Sequence, residues 1–118
     1  MRKDHFINIL QELHTNLMAM TKTKGEEYSR DDDQLANFKR QGVQLGLRPE
    51  VVWFVYFNKH LDAIISYINS SSGATFALSE PIEGRIDDAI LYLALLKAMV
   101  IEKKSSIIPP VPSQEDEA

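Results

Sequence analysis

The chain has 118 residues, of which 44% are hydrophobic and 25% are charged, which is the composition of an ordinary globular domain. It contains no cysteine, so disulfides, thiolate metal sites and a cysteine nucleophile are excluded, and a cytoplasmic location is expected. The formal net charge of −4 argues against binding of duplex nucleic acid through phosphates, and no apolar run predicts a signal peptide or a membrane span.

The first predicted helix covers residues 4–20, where apolar side chains recur at spacings of three and four. Its apolar face consists of Phe6, Leu10, Leu13, Leu17 and Met20. Asp4 is the expected N-cap, because its carboxylate can accept from backbone N–H groups of the first turn. Residues 21–33 follow, and Gly25 together with many charges predicts a loop there.

A short helix is predicted from Asp33 to Gln41, capped by one of three consecutive aspartates, Asp31, Asp32 or Asp33. Gly42 and Gly46 should break the chain after it. Pro49 suits the first turn of a central helix that runs to Asn69. The central helix is apolar almost all round in its first half.

The last predicted helix has Ser79 as its N-cap and ends near Glu102. Its expected core face consists of Ile82, Ile86, Ile90, Leu93 and Val100, with Ala89 and Leu96 beside them. The Pro-rich acidic tail, residues 105–118, predicts disorder. The sequence therefore predicts an all-α fold, a compact bundle of three long helices and one short helix within residues 1–104.

An acidic face is the most informative feature of the last helix. Glu80, Glu83 and Asp87 are three and four residues apart, so a helix places them on one side. Three carboxylates in this arrangement could bind Mg²⁺, which prefers oxygen ligands. The alternative is that the acids only complement the positive end of the helix dipole.

A second stretch, residues 22–40, mixes cations with aromatic and amide side chains. Lys24 and Lys39 could contact phosphates, Tyr28 could stack on a base, and the amide of Asn37 could read a base edge. The alternative is a solvated polar loop. No Gly-rich phosphate-binding motif occurs in the sequence.

Several residues of the central helix have more than one interpretation. Lys59 could form an ion pair with Asp62, and His60 could be a ligand, a base or a half-buried structural histidine. The aromatic side chains Trp53, Phe54, Tyr56 and Phe57 predict a core. A face of this helix left uncovered within the chain would instead be a dimer interface.

These features together resemble small phage-type members of the MazG-like, all-α nucleoside triphosphate pyrophosphohydrolases. The residues that carry the resemblance are Lys24 to Tyr28, Asn37-Phe38, Lys59, and Glu80 to Glu83 through Asp87-Asp88 to Tyr92. The resemblance implies an oligomeric helical bundle in which Mg²⁺ joins acidic side chains to a nucleotide. The metal would activate the water that releases a monophosphate and pyrophosphate.

Carried onto this chain, the resemblance implies roles for individual residues. Glu80, Glu83 and Asp87 would be metal ligands, and Glu83 and Asp87 would be catalytic. The nucleotide would be contacted by Lys24, Tyr28, Asn37, Lys39, Lys59 and Tyr92. The chain also departs from the family, because its central helix has no pair of glutamates one turn apart. Half of the usual metal cage is therefore missing, unless Glu26, Glu27 or the run from Asp31 to Asp33 supplies it.

Three functions are consistent with this incomplete set of ligands. The first is a Mg²⁺-dependent nucleotide pyrophosphohydrolase. The second is a non-catalytic oligomer that sequesters a nucleotide, including a cyclic or modified signalling nucleotide. The third is a small inhibitor that binds another protein. The first two predict a homo-oligomer, because nucleotide pockets often form between helices or subunits.

Overall fold

The computed structural model describes residues 1–28, 33–70 and 81–107, and of residues 24–28 and 107 it describes the backbone only. This part of the chain forms four helices: α1 (Lys3–Tyr28), α2 (Ala36–Leu45), α3 (Pro49–Asn69) and α4 (Ile82–Ile107). The predicted all-α bundle of three long helices and one short helix is therefore confirmed. No helix in these ranges is long and apolar enough to cross a membrane.

The central pair of the fold is α3 and α4, which pack side by side in opposite directions. Near the start of α3, Glu50 lies 3.6 Å from Lys103 near the end of α4. The indole Nε1 of Trp53 donates to the carbonyl oxygen of Tyr92 at 2.6 Å. Because α3 residues later in the chain meet α4 residues earlier in the chain, the pair is antiparallel.

The short helix α2 packs against this pair and completes the core. The buried core side chains are Leu35, Phe38, Val52, Trp53 and Met99. Phe38 meets the rings of Tyr56 and Tyr92 edge-on, at centroid distances of 6.1 and 6.2 Å. Aromatic contacts of this geometry add to the free energy gained by apolar burial. The core therefore lies where α2, α3 and α4 meet.

Two glycines of α2 have different roles. Gly46 follows the last helical residue with φ of 69°, a conformation that favours glycine, and it ends the helix as predicted. Gly42 does not break the helix, contrary to the prediction. It is buried inside α2, where an added Cβ would lie 2.6 Å from the carbonyl oxygen of Leu47. Its missing side chain lets the chain after α2 fold back closely.

Asp33, one of the three aspartates predicted as the cap of α2, lies two residues before the actual N-cap, Leu35. The carboxylate of Asp33 accepts from the backbone N–H of Leu35 at 2.9 Å, and its carbonyl oxygen accepts from Ala36 at 3.1 Å. The helix begins at Ala36, three residues later than predicted. Asp31 and Asp32 lie outside the described residues.

Helices α1 and α4 are both longer than predicted. α1 continues through residues 21–28, which were expected in a loop, because Lys and Glu propagate a helix well despite the single Gly25. Asp4 lies in the first turn rather than before it, and its carboxylate accepts from the N–H of His5. α4 continues to Ile107, so residues 105–107 belong to the helix and not to the tail. Residues 29–32, Ser79 and the rest of the tail lie outside the described residues.

The predicted core faces of α1 and α4 are only partly correct. On α4 the buried residues are Ile82, Ala89 and Met99. The predicted core residues Ile86, Leu93 and Val100 are exposed, and so are Phe6 and Leu10 on α1. Because α4 is apolar over most of its circumference, more than one face fits a helical period. Its contact with α3 decides which face is buried.

Candidate functional site

A hydrogen bond between polar side chains joins α2 to α3, and further polar side chains lie within one turn of it on each helix. The hydroxyl of Tyr56 donates to Oε1 of Gln41 at 2.8 Å. The ammonium of Lys59, one turn further along α3, lies 5.8 Å from the centroid of the Tyr56 ring. On α2, the guanidinium of Arg40 donates to Oδ1 of Asn37. We call these five residues the α2–α3 polar surface.

Local helical spacing explains why these side chains meet. Asn37 and Gln41 are four residues apart on α2, and Tyr56 and Lys59 are three apart on α3, so each pair shares a helix face. The Tyr56 ring packs against the buried Phe38, and this contact fixes α2 relative to α3. The polar surface is therefore positioned by the aromatic core beneath it.

No described carboxylate neutralises the two cations of this surface. Within the described ranges, neither Arg40 nor Lys59 is ion-paired with an aspartate or glutamate. The expected ion pair between Lys59 and Asp62 is not formed. Lys59 is exposed and Arg40 is half-buried. The α2–α3 polar surface therefore carries two positive charges in a chain whose net charge is negative.

Lys39, also predicted to contact a nucleotide, is instead held by two carboxylates. Its ammonium lies 2.8 Å from Oδ2 of Asp33 and 2.8 Å from Oε1 of Glu102 on α4. The hydrogen bond with Asp33 raises the pKa of Lys39, and the bond with Glu102 adds to this. The same bond lowers the pKa of Asp33, helped by the N–H of Leu35. In the structure Lys39 joins the start of α2 to the end of α4.

Tyr92, another predicted nucleotide contact, lies in the core between α2 and α3. Its ring is 6.2 Å from that of Phe38 and 4.7 Å from the imidazole of His60. His60 Nδ1 lies 4.0 Å from the carboxylate of Asp88, and both side chains are largely buried. This packing agrees with the structural role considered for His60.

The acidic residues of α4 do not converge on one point. Glu83 is exposed in the first turn of α4. Asp87, four residues later, is half-buried, and its Oδ2 accepts from the amide of Asn16 on α1 at 3.4 Å. Asp88 faces His60 on α3. The predicted ligand Glu80 lies outside the described residues.

The described acids therefore do not form a complete metal site. In the part of the chain that the structure describes, no three aspartate, glutamate or histidine side chains lie close enough together to hold a metal ion. Mg²⁺ binding usually involves one or two carboxylates together with waters and substrate phosphates. Glu83 and Asp87 could supply such carboxylates only in combination with other groups.

Two predicted contacts, Lys24 and Tyr28, lie in the last turns of α1. Their side chains lie outside the described part of the structure. The predicted loop is therefore wrong at Lys24 and Tyr28, which belong to α1.

Two residues of the polar surface were not predicted as site residues. The sequence predicts Tyr56 in the core with the other aromatic residues of α3, and it predicts Gln41 only as the end of a short helix. The spacing of Gln41 from Asn37, and of Tyr56 from Lys59, was a signal in the sequence. Only the packing of α2 on α3 brings the two pairs together.

Comparison with known proteins provides no relative: no family model matches the chain, and neither does any curated protein or solved structure.

Proposed function

We propose that this protein handles nucleotides by binding one at the α2–α3 polar surface. The observation that carries the proposal is that two cations with which no described carboxylate pairs, Arg40 and Lys59, lie on the same surface as the amides of Asn37 and Gln41. Phosphate groups bind to Arg and Lys through charge-assisted hydrogen bonds. Amide side chains offer both donors and acceptors to base edges.

Three basic residues of α2 and α3 differ in their carboxylate partners, and this difference supports the proposed binding surface. Lys39 is held by Asp33 and Glu102, so a phosphate would have to displace two carboxylates to reach it. Arg40 and Lys59 have no such competitors in the described ranges. We therefore assign phosphate binding to these two cations and a structural role to Lys39.

A second candidate function is hydrolysis of the nucleotide, which the resemblance to pyrophosphohydrolases implies. The observation in its favour is that Glu83 and Asp87 lie one turn apart near the start of α4, with Glu83 exposed. The described acids are too few for a metal cage, so we assign no catalytic step to them. Loss of turnover in a Glu83→Ala, Asp87→Ala variant that still folds would support this function.

The experiment is equilibrium binding of a nucleotide panel to the full chain, with and without Mg²⁺, followed by chromatography of the bound and free fractions. The panel contains nucleoside triphosphates, monophosphates, cyclic mononucleotides and cyclic dinucleotides. We expect at least one nucleotide to be retained. Replacement of both cations, Arg40→Ala and Lys59→Ala, should weaken its binding about 100- to 10,000-fold, because each charged hydrogen bond contributes about 1.5–3 kcal/mol and about 1.4 kcal/mol corresponds to a factor of ten.

The matched control removes two exposed cations of α4, Lys97→Ala and Lys104→Ala, and changes the net charge equally. This control should bind as the wild type does. Equal weakening in both variants would attribute binding to the overall charge and contradict the proposed site. Retention of intact nucleotide supports sequestration, whereas monophosphate and pyrophosphate in the free fraction support hydrolysis. If no nucleotide binds, the proposal fails and a protein-binding inhibitor becomes the leading function.

A further inference from the structure

The outer face of α3 carries a regular line of apolar side chains that the rest of the described chain leaves exposed. Phe54, Leu61, Ile65 and Ile68 are 54%, 36%, 44% and 70% exposed. Asn58 completes the line between Phe54 and Leu61 and is also exposed. We call these five residues the α3 stripe.

The spacing within the α3 stripe is that of a helix–helix seam. Its members follow one another at intervals of four, three, four and three residues. Preceded by the half-buried Val51, the positions form an uninterrupted a/d heptad pattern over most of α3. An exposed pattern of this kind is suited to another helix rather than to water. Because α4 and α2 pack on the opposite face of α3, the stripe lies outside the bundle.

We propose that the α3 stripe binds the α3 stripe of a second copy of this chain, across a twofold axis parallel to α3. The position of the asparagine identifies this occupant. A twofold interface must be self-complementary, because the same surface is used by both copies. The axis runs along the seam, parallel to α3, so each position meets its own copy, and Asn58 is the central a position between Val51 and Ile65.

An amide is one of the few polar side chains that complements itself. Each asparagine has a carbonyl acceptor and an NH₂ donor, so two copies can pair in a seam that is otherwise apolar. A single asparagine at an a position is known to specify register and oligomeric state at a cost in stability. A charged residue at this position would repel its own copy.

The area available is sufficient for an interface of this type. A large apolar side chain has about 200 Å² of accessible surface. The exposed fractions of the four apolar side chains in the stripe therefore add up to roughly 400 Å² of accessible surface per copy. Val55 lies beside the stripe and is 57% exposed. With Val55 and Asn58 included, two copies would bury about 1,000 Å², the lower limit for a specific interface. The proposal does not depend on nucleotide binding.

The test uses light scattering and site-specific cross-linking of the full chain. The wild type should have twice the 13.4 kDa mass of one chain, or an even multiple of that mass. The variant Leu61→Glu, Ile65→Glu places like charges in the seam and should weaken self-association at least ~100-fold. The control Ser66→Glu changes an exposed residue of the same helix outside the stripe, and it should associate as the wild type does.

Cross-linking tests whether the two copies of Asn58 meet across the axis. The chain has no cysteine, so each introduced cysteine is unique. Asn58→Cys should form a disulfide-linked dimer on oxidation with copper phenanthroline, whereas Ser66→Cys should not. A monomeric wild type at 100 µM, an unaffected Leu61→Glu, Ile65→Glu variant, or a reversed cross-linking pattern would each overturn the proposal. Because the altered residues are exposed in the single chain, circular dichroism should show unchanged helicity in all variants.

Discussion

The junction of α2, α3 and α4 and the first half of α1 are packed very differently. The junction contains the buried core cluster, including Phe38 and Trp53, and it is connected by side-chain hydrogen bonds between helices. In the first half of α1, by contrast, Phe6 and Leu10 remain exposed although they follow a helical period. Equal amphipathic patterning in the sequence therefore leads to unequal burial.

This difference indicates that the junction contains the buried core of the described chain, whereas α1 adds little to it. α1 contacts the described remainder mainly through α4, near the hydrogen bond between Asn16 and Asp87. Most helix stability in proteins comes from packing of an apolar face. The two regions should therefore respond differently to the same kind of substitution.

The largest contrast is expected for truncation of an aromatic side chain. Trp53 is 6% exposed, stacks on Phe57 at a centroid distance of 4.8 Å and donates to the Tyr92 carbonyl oxygen. Trp53→Ala should lower the free energy of unfolding by about 3–5 kcal/mol, because it leaves a cavity and removes the hydrogen bond between α3 and α4. Urea titration followed by circular dichroism measures this change.

The matched substitution in α1 is Phe6→Ala. The side chain is about half exposed, and surface truncations change the free energy of unfolding by only about 0.5 kcal/mol. Similar losses at Trp53 and Phe6 would contradict the comparison and would show that α1 is as tightly packed as the junction. Both variants should be compared at low protein concentration, where self-association contributes least.

A smaller effect is expected from adding one methyl group at each of two helical glycines. Gly42→Ala would place a Cβ 2.6 Å from the backbone oxygen of Leu47, so the chain after α2 must move. Overpacking of this kind costs about 1–3 kcal/mol. Gly84→Ala in α4 meets no atom within 4 Å and should stabilise the protein by about 0.5–1 kcal/mol through helix propensity. Thermal unfolding of both variants measures the two effects. A destabilised Gly84→Ala variant would contradict the expected difference between the two glycines.

The helices could be predicted from the sequence because apolar residues recur in each at spacings of three and four, and Pro49 marks the start of α3 correctly. The faces could not be predicted equally well. α4 has apolar residues at both Ala89 and Leu93, and only its docking on α3 makes the first buried and the second exposed. The function of Gly42 depends on the return of the chain at Leu47, which local sequence does not specify.

The candidate site was less predictable than the fold. The sequence predicts nucleotide contacts by Asn37 and Lys59. It also predicts one by Lys39, because the sequence alone does not distinguish Lys39 from the other cations. The carboxylates that hold Lys39 lie six residues before it, at Asp33, and on α4, at Glu102. Such pairings depend on the relative position of helices. The α2–α3 polar surface is therefore a product of tertiary packing.

The smallest expected effect concerns the ion pairs of Lys39, which join α2 to α4 at the edge of the junction. The side chains of Lys39 and Asp33 are 39% and 35% exposed, and solvent screens ion pairs at such positions. Lys39→Met should therefore lower the free energy of unfolding by only about 0.5–1 kcal/mol. Lys97→Met is the control, since Lys97 is exposed and forms no ion pair within the described ranges. Thermal unfolding at neutral pH should distinguish the two.

The pH dependence of Asp33→Asn tests the same ion pair from the acidic side. The hydrogen bond from Lys39 lowers the pKa of Asp33 in the folded protein. Its stabilising contribution is therefore present above the unfolded pKa of about 3.9 and is lost as the pH falls through the lower folded pKa. The difference in Tm between the wild type and Asp33→Asn should shrink as the pH falls from 5 towards 2. A difference that stays constant would mean that Asp33 stabilises the fold through its uncharged hydrogen bond with the N–H of Leu35 and not through its charge.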